Sequence, residues 1–145
     1  MRNLFKAFLV VSAVYLTSCQ HGGAKITETP MGLTEIRRVV YSLMGDPRVV
    51  SAGGYEIDSK YHDDKGKPLD RPGDVKERYF TRVTILGDRR PYDLWVQVFA
   101  EAQGYDGYES VGQDDLMAED FADRLKKALH ESRDKRNVID DFKAF

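Results

Sequence analysis

Two neighbouring stretches, "ERYFTRVTIL" (77–86) and "PYDLWVQVFAEA" (91–102), decide the fold, because apolar residues recur in each of them at every second position. A period of two is typical of β-strands, whose successive side chains point to opposite faces of a sheet. The junction "GDRRP" (87–91) contains the Gly, Asp and Pro that favour a tight turn. The sequence therefore predicts an antiparallel hairpin.

The register of this hairpin can be predicted from burial alone. A shift by one residue would turn the aliphatic residues of one strand away from those of the other. Placing Ile85 opposite Leu94 also places Val83 opposite Val96, so that one face of the hairpin is aliphatic. We expect this face to carry the core.

The reverse face of the hairpin has a different composition. The same register places Phe80 opposite Phe99, with Trp95 and Arg82 on the same side. Neighbouring Trp, Phe and Arg side chains are typical of binding hot spots, and a contiguous exposed apolar patch usually marks an interface. We therefore predict that these four residues dock a partner protein, which includes a second copy of the chain, or a ligand. The alternative is that the carboxy-terminal segment or the loop at 63–74 covers them.

Helical and strand patterns flank the hairpin. "LTEIRRVVYSLMGD" (33–46) and "DDLMAEDFADRLKKALHESRDKR" (114–136) repeat apolar residues at helical spacing, whereas "YEIDSKYH" (55–62) alternates as a strand does. "GYDGYES" (104–110) has the composition of a loop. This order predicts a two-layer α+β fold, αβββα, in which an N-terminal and a C-terminal helix lie on one face of a three-stranded antiparallel meander.

The start of the chain has the organisation of a secretory signal. "MRNLFK" (1–6) carries two basic residues and no acid, and "AFLVVSAVYLT" (7–17) is a short apolar run. A membrane-spanning helix needs roughly 20 apolar residues, so this run is too short to be a permanent anchor.

The single cysteine of the chain follows this run, in the tetrapeptide Leu16-Thr17-Ser18-Cys19. The tetrapeptide resembles the lipobox of bacterial lipoprotein precursors. The resemblance implies that residues 1–18 are a signal peptide, that cleavage follows Ser18, and that Cys19 carries acyl chains that anchor the protein in a membrane. Gln20 stands where the inner-membrane retention signal of that family would place Asp, which implies the outer membrane, with the protein facing the periplasm.

The segment after the cysteine, "QHGGAKITETPMG" (20–32), is rich in Gly and has no apolar period. We expect residues 19–32 to be the lipidated cysteine and a flexible tether, which as random chain would span about 20 Å. Residues 33–145 then form a single α+β domain.

Composition and motifs argue against several functions. The formal net charge of −2, without a basic run, disfavours nucleic-acid binding. His62, Asp63 and Asp64 include metal-ligand types, but adjacent residues lack the spacing of a metal site. No phosphate-binding loop or nucleophile motif is present, so we expect neither an enzyme nor a metal or other cofactor.

We therefore expect a lipid-anchored cell-envelope protein with a non-catalytic binding or assembly role, which docks a partner through the reverse face. The alternative is a periplasm-facing domain that binds lipid or glycan in a groove between the sheet and the helices. A hydrolase is the third interpretation, because catalytic carboxylates can meet in three dimensions without any sequence motif.

Overall fold

The computed structural model describes residues 22–141, and it describes side chains as far as residue 135. The predicted signal peptide, Cys19 with its predicted lipid, and the last four residues lie outside this part of the chain. Within residues 22–141, no helix is long and apolar enough to cross a membrane.

The described residues form six strands and two helices. In chain order these are β1 (Ala24–Thr29), α1 (Leu33–Met44), β2 (Val49–Val50), β3 (Glu56–Asp58), β4 (Glu77–Leu86), β5 (Tyr92–Gln103), β6 (Tyr108–Gln113) and α2 (Asp115–Asp141).

All six strands belong to one antiparallel sheet, in which five of them follow the order β1-β5-β4-β3-β2. Strand β6 also pairs with β5, on the side opposite β4. Strand β5 is long enough for two neighbours on that side, because β1 pairs with its first half, Tyr92–Val96, and β6 with its second half, Phe99–Gln103. Strands β1 and β6 therefore lie end to end along one edge of the sheet.

The predicted register of the central hairpin is confirmed. Val83 lies opposite Val96, and Ile85 lies opposite Leu94. Three of these four side chains are fully buried and the fourth, Ile85, is 2% exposed. The alternation of the two long strands is therefore sufficient to determine which of their faces carries the core.

The predicted three-stranded αβββα fold was wrong, because the sheet has six strands and a strand precedes the first helix. The additional strands β1, β2 and β6 are two to six residues long and lie at the edges of the sheet. An edge strand has one hydrogen-bonded neighbour and can contribute little buried surface, so its sequence need not alternate. Strand β6, which follows the Gly-rich segment 104–107, is exposed at almost every position.

The segment predicted as a flexible tether contains β1, so that prediction was also wrong. Ile26 lies opposite Leu94 in the sheet and is buried. Met31, between β1 and α1, is only 1% exposed. The folded domain therefore includes residues 22–32, which carry Gly and Pro but also these two apolar anchors.

The core lies between the aliphatic face of the sheet and both helices. The helices also contact each other, since the Ser132 hydroxyl lies 3.4 Å from a carboxylate oxygen of Glu35. Helix α2 begins where the Asp114 carboxylate accepts the backbone N–H of Met117 at 2.9 Å, an N-terminal cap. The helix residues buried in this core are Ile36, Val39, Val40, Ala118, Phe121, Ala122, Leu125 and Leu129.

Substitution of Met31 tests whether the segment before α1 belongs to the domain. We expect Met31→Ala to lower the free energy of unfolding by about 2–5 kcal/mol, because it leaves a cavity in the core. The matched control is Lys25→Ala, an exposed position on the same segment, which should change stability by less than about 0.5 kcal/mol. Urea denaturation measures both, and equal small effects would mean that this segment does not contribute to the core.

Candidate functional site

The four residues predicted to dock a partner lie together on the reverse face of the sheet. Phe80 and Phe99 stack with their ring centroids 5.0 Å apart and their planes inclined by 18°. Arg82 and Trp95 are neighbours in the same register. Phe80, however, is only 8% exposed, although it points away from both helices.

Three guanidinium groups cover the aromatic rings of this face. Each lies over two rings, with its Cζ atom 3.6–5.7 Å from the ring centroids. Such contacts contribute about 0.5–1 kcal/mol each at exposed sites. We call this assembly the arginine–aromatic layer, and its members are Arg48, Arg78, Arg82, Tyr61, Phe80, Phe99 and Tyr108.

Carboxylates hold these arginines in place. Arg82 forms a two-pronged ion pair with Asp58, with N–O distances of 2.7 and 2.8 Å, and Arg48 lies 3.4 Å from the same carboxylate. The hydrogen bonds that Arg82 donates to Asp58 raise the pKa of Arg82 above its ordinary value. On the other side of the layer, Arg78 contacts Glu101 at 2.8 Å.

The reverse face is therefore not a bare apolar patch. The sequence prediction located its aromatic residues correctly on one face. It did not include Arg48 and Tyr61, which come from outside the hairpin and pack against Phe80, or Asp58, which pairs with Arg82. Trp95 and Phe99 remain partly exposed. Most of the interaction capacity of this face is used within the chain, which makes it a second, smaller packed layer.

The ion pair between Asp58 and Arg82 gives a direct test of this layer. We expect Asp58→Ala to destabilise the fold by about 2–4 kcal/mol, because the carboxylate is 5% exposed and its loss removes the two-pronged partner of Arg82 and the ion-pair partner of Arg48. Glu56→Ala is the control, since Glu56 lies 3.4 Å from the same arginine but is 45% exposed, and we expect a loss below about 1 kcal/mol. Urea denaturation that gave equal losses would contradict a structural role for the buried pair.

A cavity lies on the opposite side of the sheet, between the sheet and the ends of both helices. Its volume is about 650 Å³, within the range of small-molecule sites. Its apolar wall comes from the end of α1, the start of α2 and strand β5. The residues of this wall are Leu43, Met44, Val98, Leu116, Met117 and Phe121.

The polar side chains at the sheet end of the cavity bond to one another. The ring nitrogen Nδ1 of His62 lies 2.9 Å from the carbonyl oxygen of Asp63, so Nδ1 carries the proton that is donated. In the neutral ring Nε2 is then an acceptor, and the hydroxyl of Thr81 donates to it at 3.1 Å. The backbone N–H of Thr81 donates to Ser59, whose hydroxyl donates to the carbonyl of Lys60.

His62 and Thr81 have the atom types of a nucleophile and its base, but the surroundings do not complete a catalytic site. Thr81 is 4% exposed and lies within strand β4. Its N–H group is already donated to Ser59, so it is not available to stabilise an oxyanion. The group therefore forms a closed hydrogen-bonded floor. Among the described residues, no buried side-chain nitrogen or oxygen is left without a partner.

Asp63, next to His62, binds backbone groups of its own loop. The carboxylate of Asp63 accepts the backbone N–H groups of Lys67 and Lys65 at 2.8 and 2.9 Å. These bonds lower the pKa of Asp63, and the bond from Lys67 has the larger effect. Within residues 22–135, no group of three or more His, Cys, Asp or Glu side chains is placed to hold a metal ion.

Sequence reasoning named a groove between sheet and helices only as an alternative, and it named no residue of that groove. The cavity wall combines the end of α1, strand β5 and the first turns of α2, whose contact depends on tertiary structure. One signal was present in the sequence. Leu116 is apolar but lies outside the buried stripe of α2, and it is 79% exposed at the rim.

No protein-family model matches the chain, and neither the curated proteins nor the solved structures contain a significant match. The site itself is therefore the basis for assigning a function.

The buried imidazole should make stability depend on pH. Burial lowers the pKa of His62 below 6.5, and this effect outweighs the carbonyl of Asp63, which favours the charged ring. The unfolded chain then binds a proton more readily than the folded one, so stability is full above pH 6.5 and falls as the pH decreases below it. We expect His62→Gln to flatten this part of the stability curve.

The test is to measure the urea midpoints of the wild-type protein and of His62→Gln at pH values above and below 6.5. The difference between the two curves isolates the imidazole from the carboxylates that also titrate in acid. Parallel curves would contradict the role assigned to His62.

Proposed function

We propose that the chain is a lipid-anchored cell-envelope protein with a non-catalytic binding role, and that the cavity between the sheet and the helices binds an acyl chain. The proposal joins the lipobox resemblance of Leu16-Thr17-Ser18-Cys19 to a cavity whose volume suits a small ligand. The observation that carries it is the combination of an apolar wall with a polar floor whose hydrogen bonds are already made.

The apolar wall favours an acyl chain as the ligand. Six aliphatic, thioether and aromatic side chains surround the space, and a flexible hydrocarbon is stabilised by burial at about 0.8 kcal/mol per methylene. Met44 and Met117 add side chains that adapt readily to irregular apolar ligands. A hydrocarbon offers no hydrogen bonds, so the polar groups of the floor must find their partners within the protein, as they do here.

The same observations disfavour a glycan. A sugar needs several hydrogen-bonding partners, and loses affinity when its hydroxyl groups are buried without them. His62, Thr81 and Ser59 are engaged with one another and with backbone groups. The Lys, Arg and Asp side chains that line the cavity are all exposed, as the polar head of an amphiphile requires.

Docking of a partner protein through the reverse face stays a prediction from the sequence. Trp95 and Phe99 are partly exposed there, but Phe80 is buried and Arg82 is held by Asp58. Because those contacts are internal, we favour the cavity over the reverse face as the site of function.

Photo-crosslinking in membranes tests the proposal. The lipidated protein is exposed to palmitic acid that carries a diazirine, illuminated, and digested for peptide mass spectrometry. We expect label on the peptides that contain the end of α1 and the start of α2. Met117→Trp should strongly reduce this label, because the bulkier indole group occupies space beside the apolar wall that the acyl chain needs. The intact mass of the same sample checks for the acyl chains on Cys19.

The matched control is Leu86→Trp, which adds the same side chain at an exposed position remote from the cavity. Labelling should be the same in this variant and in the wild-type protein. Both variants should unfold at the same midpoint temperature as the wild-type protein. Label that Met117→Trp does not reduce, or that falls on peptides remote from the cavity, would contradict binding at this site.

A further inference from the structure

The position of β1 sets a short limit on the distance between the domain and the membrane. This inference rests on the proposed function, in which Cys19 carries the lipid anchor. Gly23 is part of the folded domain, since its N–H donates to the Asp115 carboxylate at 2.8 Å. A Cβ atom at Gly23, whose φ is +111°, would lie 2.4 Å from the carbonyl oxygen of Val96. Close packing of the chain against the sheet thus begins at this glycine.

Four residues of extended chain cover the distance from Cys19 to Gly23, at most about 14 Å. The acylated cysteine lies at the surface of the hydrocarbon layer, and the headgroup layer beyond it is roughly 5–8 Å thick. The domain edge at Gly23 is then no more than about 10 Å from the outer limit of the headgroups. An anchored domain of this kind rests on the bilayer.

Part of the cavity wall lies beside this point of attachment. Asp115, which binds the N–H of Gly23, is the first residue of α2, and the next two residues, Leu116 and Met117, line the cavity. Leu116 is 79% exposed, and Val111, on the neighbouring strand β6, is 62% exposed. Leu116, one residue after the partner of Gly23, is therefore an exposed apolar side chain near the short connection to the anchor.

The charged residues that line the cavity are balanced, apart from the neutral His62. Three of these side chains are cationic and three are anionic, so their charges sum to zero. Attraction to anionic lipids is then not the source of membrane contact, which should persist at high salt. The charged residues concerned are Lys60, Lys65, Arg124, Asp46, Asp64 and Asp120.

We propose that the mouth of the cavity faces the leaflet that holds the anchor, with Leu116 in the headgroup layer, and that the acyl chain enters the cavity directly from that leaflet. The ligand is thus a membrane lipid rather than a soluble metabolite. A chain that moves from bilayer to cavity stays in apolar surroundings and avoids the cost of crossing water.

Quenching of tryptophan by brominated lipid tests this orientation. The chain has a single tryptophan, so Trp95→Phe provides a background without indole fluorescence. Leu116→Trp in this background adds an indole at the cavity rim. Val50→Trp is the control, because Val50 is 41% exposed on β2, at the edge of the sheet opposite β1. Four interstrand spacings, about 19 Å, separate these edges.

The full lipidated variants are reconstituted in phosphatidylcholine vesicles, with and without bromine on the acyl chains. We expect bromine to reduce the fluorescence of the Leu116→Trp variant, at low and at high salt, and to leave that of Val50→Trp unchanged. Native mass spectrometry of the same sample should reveal a bound brominated lipid that leaves on denaturation. Its bromine identifies the vesicle as its source, whereas the covalent acyl chains of Cys19 stay with the polypeptide.

The outcomes distinguish failure of the proposed orientation from failure of the proposed acyl-chain binding. Cavity labelling by the diazirine probe with no quenching of Leu116→Trp would overturn the orientation and leave acyl-chain binding intact. Equal quenching of both variants would also overturn it. Absence of both cavity labelling and bound lipid would overturn the proposed function itself.

Discussion

The pairing of β4 with β5 is the interaction on which the rest of the structure depends. Ten successive residue pairs join these strands, from Glu77 with Ala102 to Leu86 with Asp93. Strand β3 is added to one side of this ladder, and β1 and β6 to the other. Both helices cover its aliphatic face. Loss of register in this one hairpin would therefore displace the core, the arginine–aromatic layer and the floor of the cavity together.

A single sheet with helices on one side has to protect its second face without a third layer of backbone. In the described part of this chain, stacked side chains cover that face, and the backbone carbonyls of Pro72 and Val75 accept hydrogen bonds from Arg78 and Tyr108. Guanidinium planes cover the rings of Phe80 and Phe99, and carboxylates such as Asp58 neutralise the arginines in turn. Arginine suits this position because its flat group stacks on rings while its edge still binds acids. The result is an aromatic sheet face on which Trp95 and Phe99 remain partly exposed while the arginines are paired with carboxylates.

The parts of the fold that the sequence predicts are those in which one segment contains the whole signal. The two long strands bury one face, so their alternation determines the register, as Val83 and Val96 illustrate. Strands β1 and β6 could not be predicted in the same way. They lie along the edge of the sheet, and they adopt strand geometry because they pair with β5. The Gly and Pro content of residues 20–32 suggested a linker, and it concealed Ile26 and Met31. The cavity was harder still to predict from the sequence, since its wall brings together side chains from distant parts of the chain.

Strand β1 has a consequence for how the molecule reaches its folded state. Ala24 lies opposite Val96, so the partner of the first strand is synthesised about 70 residues later. Pairings between such distant segments form slowly, because the intervening chain must first be closed into a loop. The first strand to leave the ribosome must wait, unpaired, until the fifth is made. An early segment that is kept open in this way is a natural point of contact for a chaperone.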